Sequence, residues 1–300
     1  MIELVAEDLS KTFGKSPALV DVSFRLEERG CFGYLGPNGA GKTTTMKLFA
    51  SLLKPTSGKA WVNGFEVAKQ PTLALKAVGS LIEDPEPYPF MTVGEFIRFA
   101  VKLRDENNRY DMNALGETLT LPPLDTRCSK LSKGQKRRVY LAALLAQDPE
   151  IFILDEPSGG LDPAESVVFR NVIMQLKKAK MVFLSSHLLY EVAQVCDQVL
   201  FINKGRIVER GTVQEISKRF ASRALKVDFE RAVGEERLLE LVQKGLVLRY
   251  KREAEETYTL DFDGKDETRK ALVDELYRMG IRSVHDAQLG LEQAYMDLMD

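Results

Sequence analysis

The chain has 300 residues, 44% of them hydrophobic, enough for one large or two modest domains around a proper core. Its 42 lysines and arginines nearly balance 44 aspartates and glutamates, so no bulk field recruits nucleic acid or anionic lipid. Cys31, Cys128 and Cys196 are odd in number, far apart and without a C-x-x-C pair, which fits reduced cytoplasmic thiols rather than disulfides or zinc. The start, MIELVAEDLS, lacks a basic region and is not expected to be a signal peptide. No apolar run approaches the roughly 18 residues of a membrane helix, so any membrane that the protein serves is spanned by another chain.

Residues 2–29 read as strands, Ile2–Val5 and Ala18–Phe24, joined through a turn at Phe13-Gly14. Phe13 stands in an otherwise polar turn, KTFGKS. It is either a hydrophobe capping the sheet or a face on which an adenine ring stacks.

Cys31–Leu35 reads as a short buried strand, followed by Gly36-Pro37-Asn38-Gly39-Ala40-Gly41-Lys42-Thr43-Thr44 and a segment of helical spacing through Met46, Leu48, Phe49 and Leu52. Strand, G-x-x-x-x-G-K-T and helix together form the context of a phosphate-binding loop. Gly36, Gly39 and Gly41 can take positive φ and leave room for a phosphate. Amides from Asn38 to Lys42 then converge on one anion at the positive end of the helix. Lys42 brings a mobile charge for the β- and γ-phosphates, and the Thr43 hydroxyl suits Mg²⁺. A chance match to four fixed positions recurs in roughly one chain of this length in a hundred, so nucleotide binding is the stronger reading.

Pro55–Gly58 turns into a strand pair around Ala60–Val67, with Asn63-Gly64 as the hairpin turn. Val78–Ile82 reads as a buried strand ending at Glu83-Asp84-Pro85. Residues 92–147 become helical and are interrupted at Pro122-Pro123. Leu131-Ser132-Lys133-Gly134-Gln135 is a helix start with Ser132 as N-cap, and its free amides suit an anion.

Ile151–Leu154 is a continuous apolar run, the mark of a central parallel strand, and it delivers Asp155-Glu156 to the strand end. Two acids there are costly unless a cation or a catalytic task holds them. Asp155 suits an Mg²⁺-organising carboxylate, and Glu156 a base that positions attacking water. After Gly159-Gly160-Leu161-Asp162-Pro163 comes a helix to Lys178, then the buried strand Met181–Leu184 ending in Ser185-Ser186-His187. His187 at that edge is a candidate γ-phosphate contact. A hairpin, Val199–Ile202 and Arg206–Val208, and a helix to about Phe220 close the first domain. From 221 to 300 the order Leu225–Phe229, Glu235–Lys244, Leu246–Tyr250, Tyr258–Phe262, Glu267–Met279, Ile281–Val284 is the β-α-β-β-α-β of a ferredoxin-like unit.

Together these motifs resemble the ATP-binding cassette of ABC transporters over roughly residues 2–220. Gly36–Thr44 is similar to the Walker A motif, Ile151–Glu156 to Walker B, Leu131–Gln135 to the LSGGQ signature and Gly160-Leu161-Asp162 to the D-loop. His187 resembles the switch histidine and Phe13 the aromatic A-loop residue. The resemblance implies an α/β P-loop fold with an antiparallel β subdomain and a helical signature subdomain, about 92–147, followed by an accessory α+β domain over 221–300. It also implies ATP and Mg²⁺ as cofactors, and a second cassette, forming a homodimer, docked head to tail. Ser132, Gly134 and Gln135 would then serve the partner's nucleotide, with Glu156, His187, Lys42 and Asp162 forming the catalytic set.

Two positions depart from the family pattern. Lys133 replaces the first signature glycine, and Glu83 stands where the family usually has a glutamine that contacts Mg²⁺ and the attacking water, in a loop facing the membrane subunit. The segment LIEDPEPYPFMT resembles that of peptide-antibiotic exporter cassettes, which also carry glutamate there, and the tail around Leu291–Tyr295 resembles drug-exporting cassettes. The expectation is therefore an ATPase motor at the inner face of the cell membrane, driving an integral membrane permease for export, with Thr43, Asp155 and Glu83 at the metal. The alternative, a soluble ABC ATPase acting on nucleic acid or ribosomes, usually shows two cassettes or basic patches, which this chain lacks.

Overall fold

The computed structural model describes residues 2–84, 86–104, 109–159, 162–221, 224–286 and 291–299. The chain gathers into two compact units, one running through Gly211 and the other from Thr212 to Leu298.

The larger unit opens with β1 (Glu3–Phe13) and β2 (Ser16–Glu27), paired antiparallel from Glu3↔Glu27 to Phe13↔Ser16. Both strands outrun the apolar stretches Ile2–Val5 and Ala18–Phe24, because the ladder continues wherever polar side chains can alternate outward. In β2, Val22, Phe24 and Leu26 are buried, whereas Ser23, Arg25 and Glu27 are exposed. Near Asp8, at φ 47°, the register of β1 shifts, and the strand resumes beyond the irregularity.

Next come β3 (Gly30–Leu35), the glycine-rich loop and α1 (Lys42–Phe49). β4 (Ser57–Val62) and β5 (Phe65–Glu66) complete an antiparallel sheet of order β2-β1-β4-β5. Their turn, Asn63-Gly64, has both residues at positive φ, 49° and 79°, as a tight hairpin turn requires. After α2 (Pro71–Leu75) and β6 (Val78–Leu81), three α-helices lie among the described residues of 93–147. They are α3 (Val93–Arg104), α4 (Met112–Leu119) and α5 (Lys133–Gln147). The Asp111 carboxylate caps α4, and Thr120 ends it in the left-handed region before Pro122-Pro123.

β7 (Ile151–Leu154), α6 (Pro163–Leu176), β8 (Met181–Ser186), α7 (Leu189–Val195), β9 (Gln198–Asn203) and β10 (Arg206–Thr212) complete this unit. The second sheet has the order β10-β9-β3-β8-β7-β6, parallel from β9 through β6. Every residue of β3, β7 and β8 is buried, as expected for strands covered on both faces. Phe24, Tyr34, Phe49 and Phe183 join both sheets and α1 in one cluster with ring centroids 5.3–6.4 Å apart. Register aligns Leu35 with Ser186 and Leu154 with Leu81, so the strands deliver the glycine-rich loop, Asp155, His187 and Glu83 to the same edge.

The smaller unit begins with α8 (Val213–Ala221) and β11 (Ala224–Phe229), followed by α9 (Glu235–Gln243), β12 (Arg249–Arg252) and β13 (Thr257–Asp261). α10 (Asp266–Met279), β14 (Ile281–Asp286) and α11 (Leu291–Met299) complete it. Its antiparallel sheet, β12-β13-β11-β14, has the strand order of a ferredoxin-like unit, with Leu225, Val227, Phe229, Tyr258 and Leu260 in the core. The strand expected over Leu246–Tyr250 begins only at Arg249. Leu246 and Val247 bond back to the Leu241 carbonyl and finish the turn after α9, with Val247 buried.

Candidate nucleotide site

The loop between β3 and α1 uses its glycines for different reasons. Gly39, at φ 80°, has open space where a side chain would be. Gly41, at φ 110°, is left-handed and also crowded, since an added Cβ would lie 2.7 Å from the Ala18 carbonyl oxygen. Gly36 corrects the expectation of positive φ: it lies outside that region. It is small because a Cβ there would meet the Ile202 carbonyl oxygen of β9 at 2.2 Å.

Lys42 is buried at the start of α1. Its ammonium donates to the carbonyl oxygens of Gly36 (2.7 Å) and Pro37 (3.2 Å) and lies 3.7 Å from Glu156 Oε1. Burial pushes its pKa down, and the Glu156 and Asp155 carboxylates oppose that shift. Beside it, the Thr43 hydroxyl donates to Asp155 Oδ2 at 2.7 Å. Ser185 of β8 donates to the other oxygen, Oδ1, at 2.6 Å. The same Ser185 hydroxyl accepts from the Glu156 amide at 2.9 Å. Asp155, only 5% exposed, is thus gripped on both oxygens.

Glu156 sits at φ 45°, a left-handed turn at the strand end. One carboxylate oxygen faces Lys42, and the other accepts from the His187 ring at Nδ1 (2.6 Å) and from the His187 amide (3.3 Å). Lys42, Thr43, Asp155, Glu156, Ser185 and His187 therefore form one connected cluster. Thr44 follows on α1, and Asn38 and Ala40 line the loop before it.

The other expected residues lie apart from that cluster. Ser132 caps α5 by accepting from the Gln135 amide (3.2 Å), while the Gln135 side chain accepts from the Ser132 amide (3.0 Å). Gly134 packs closely on α6, where an added Cβ would lie 3.1 Å from Glu165 Oε2. Asp162 caps α6 in a second such box with Glu165, whereas Gly160 and Leu161 fall outside the described residues. Phe13 is half exposed, with the Lys11 ammonium 5.2 Å from its ring centroid. Glu83, exposed and at φ 63°, forms an ion pair with Lys47, one turn along α1 from Thr43.

Comparison with known proteins gives the family of the chain. A family model described as ABC transporter matches residues 19–159. The chain is 37% identical over 220 residues to the uncharacterized ABC transporter ATP-binding protein YxlF of Bacillus subtilis, covering 72% of this chain and 73% of that one. The chain belongs to the ABC transporter ATP-binding proteins. It is 34% identical over 218 residues to the bacitracin transport ATP-binding protein BcrA of Bacillus licheniformis, covering 71% and 70% of the two chains. Among solved structures, an ATP-binding subunit of an ABC transporter superposes with TM-score 0.67 at 28% identity, covering 73% of this chain and 93% of its own. The larger unit is a P-loop ABC cassette, and its nucleotide is ATP, which it hydrolyses.

Three residues of this cassette escape a reading by motif. Ser185 lies in an apolar strand, 30 residues from the Asp155 it holds. Arg137 and Arg138 stand on α5 just after the signature. Their signal is slight: two adjacent arginines where one of them must face inward. A cavity of about 390 Å³ is lined in part by Glu86, Tyr88, Phe96, Phe99, Leu103 and Tyr140. Tyr88 and Phe90 stack beside it, ring centroids 5.6 Å apart and both rings exposed.

Proposed function

We propose that this cassette powers export through a separate membrane-spanning partner, closing head to tail with a second copy around ATP. The observation that carries the reading is the connected cluster of Lys42, Thr43, Asp155, Glu156, Ser185 and His187 at one sheet edge. The bacitracin-transport relative supports export, as does the glutamate at position 83.

The Thr43 hydroxyl and the Asp155 carboxylate are hard oxygen donors 2.7 Å apart, a pair that fits Mg²⁺. No group of three or more His, Cys, Asp or Glu suited to a metal occurs among the described residues, so phosphate oxygens would have to complete the shell. Bound there, Mg²⁺ would neutralise charge on the β- and γ-phosphates. Ser185 orients Asp155 for that task. Glu83 would add a carboxylate only by leaving Lys47, whose Cβ is about 6 Å from that of Thr43 on the same helix face.

Lys42 exchanges the Gly36 and Pro37 carbonyls for the β- and γ-phosphate oxygens, while the amides of Asn38 through Thr44 cradle the same anion. Glu156 takes a proton from the attacking water as its oxygen bonds to the γ-phosphorus and the bond to the β-phosphate oxygen breaks. His187 Nδ1–H holds that carboxylate in place, leaving the far ring edge for the γ-phosphate. Phe13 stacks on adenine. Ser132, Gly134 and Gln135 complete the second copy's nucleotide, and Asp162 lies at the same junction.

No helix among the described residues is long and apolar enough to cross a membrane, which agrees with a partner that does so. The aromatic groove of Tyr88, Phe99 and Leu103, beside the loop carrying Glu83, supports docking of that partner. The cassette would then sit at the inner face of the cell membrane. Two measurements test the reading together. Turnover per chain should rise steeply with protein concentration, and Glu156→Gln should abolish hydrolysis while trapping an ATP-bound dimer in gel filtration. A chain that stays monomeric and hydrolyses at a concentration-independent rate would refute it.

A further inference from the structure

Arg137 and Arg138 follow the signature turn on α5 and have no part in the cluster around Asp155. Arg137 is 8% exposed, a guanidinium taken out of water, which is costly without strong partners. Nη1 donates to the Gly159 carbonyl, and Nη2 reaches Asp84 at 3.4 Å. Arg138 Nη2 meets Glu165 Oε1 at 3.2 Å, and its Nη1 donates to the Thr120 carbonyl at 2.7 Å. The other Glu165 oxygen accepts from the Asp162 amide at 3.2 Å. Consecutive arginines of one helix therefore reach the Gly159 carbonyl and the Glu165 carboxylate, which flank Asp162 in the chain. Close packing of Gly134 on Glu165 brings the signature turn itself against that junction.

We propose that Arg137 and Arg138 are positioning residues, a two-pronged brace that makes the signature turn and the Asp162 segment move as one body. The inference rests on the composite-site reading, in which both elements face the second copy. Both Nε–H groups are buried without an acceptor among the described residues. Buried polar groups are normally paired, so two unpaired Nε–H groups side by side call for a reason other than their own bonding. Burial pushes the Arg137 pKa down, with Asp84, Glu156 and Asp155 opposing that shift. A lysine keeps the charge but cannot span two acceptors with a planar fork. Rigid linkage is needed because misplacing a catalytic group by about 1 Å can cost 10²-fold in rate.

Arg137→Lys and Arg138→Lys test this in the full chain. Both should bind ATP within about twofold of the wild type, since neither arginine touches the phosphate loop. Turnover at fixed protein concentration should fall by about tenfold or more. By NMR, hydrogen exchange should quicken at the amides of Gly159 and Glu165, which bond Glu156 O at 3.0 Å and Asp162 Oδ1 at 2.8 Å. Wild-type turnover with unaltered exchange would overturn the proposal, as would ATP affinity falling in parallel with turnover, the mark of simple misfolding. Should either variant fail to fold, Glu165→Gln retains the cap and removes the ion pair. It must show the same slow turnover and fast exchange, or the brace is wrong. If wild-type turnover proves independent of concentration, the composite-site reading fails, while the exchange readout still judges the brace.

Discussion

Ser185→Ala removes one oxygen atom from the middle of the cluster around Asp155 and Glu156 and leaves no cavity of consequence. The hydroxyl gives a 2.6 Å bond to Asp155 and takes a 2.9 Å bond from the Glu156 amide, at a residue with no solvent exposure. A hydrogen bond to a charged group contributes about 1.5–3 kcal/mol, and a buried amide left without its acceptor costs about 1–3 kcal/mol. The two losses share one hydroxyl, and the Thr43 hydroxyl stays on Asp155, so a destabilisation of about 2–4 kcal/mol is expected. Urea unfolding without nucleotide should show this as a lower midpoint at unchanged m-value. Asp155 also loses its orienting partner, so Mg²⁺ affinity at saturating ATP should fall by about 10–100-fold. A variant within about 0.5 kcal/mol of the wild type would refute the reasoning, because that is the range of an uninvolved surface change.

Phe13→Ala should weaken ATP and GTP alike by about 1–3 kcal/mol, since a stacking ring reads no hydrogen-bond edge. Fluorescence titration of both nucleotides measures this, and unchanged affinities would leave Phe13 as a capping hydrophobe beside Lys11. Glu83→Gln should keep basal hydrolysis within about tenfold, because Glu156 remains as base, and should relax the Mg²⁺ requirement for nucleotide binding. Mg²⁺ titrations at fixed ATP that superimpose for the two proteins would leave Glu83 with Lys47 alone.

The strands easiest to read were those buried on both faces. In β3, β7 and β8 every position is apolar or small, so the run itself announces a central parallel strand. β1 was harder, because half its residues are polar and a register shift near Asp8 breaks the alternation partway. Leu246 and Val247 misled for the opposite reason: they are apolar because they close a helix end, and only the Leu241 carbonyl reveals that. Periodicity reports burial, and burial has more than one cause.

The site divides along a similar line. Lys42, Thr43 and Asp155-Glu156 are legible because the loop and the strand end are each set by a few adjacent residues. Ser185 acts on a neighbouring strand, and its role exists only because the sheet order places β8 beside β7. Arg137 reaches Gly159 and Arg138 reaches Glu165, 22 and 27 positions along the chain, across a gap closed by helix packing. Glu83 is the instructive intermediate. The family resemblance leads one to expect it at the metal, whereas its side chain lies on Lys47, one turn from the threonine that would hold that metal. Lys47 and Thr43 share a face of α1, so a carboxylate released by the first has the second as its neighbour. The ion pair is exposed, with 63% of the Glu83 side chain in solvent, and such pairs contribute about 0–1 kcal/mol. A bound divalent cation outweighs that easily. If Glu83 does reach the metal, this weak exposed pair with Lys47 is what it gives up.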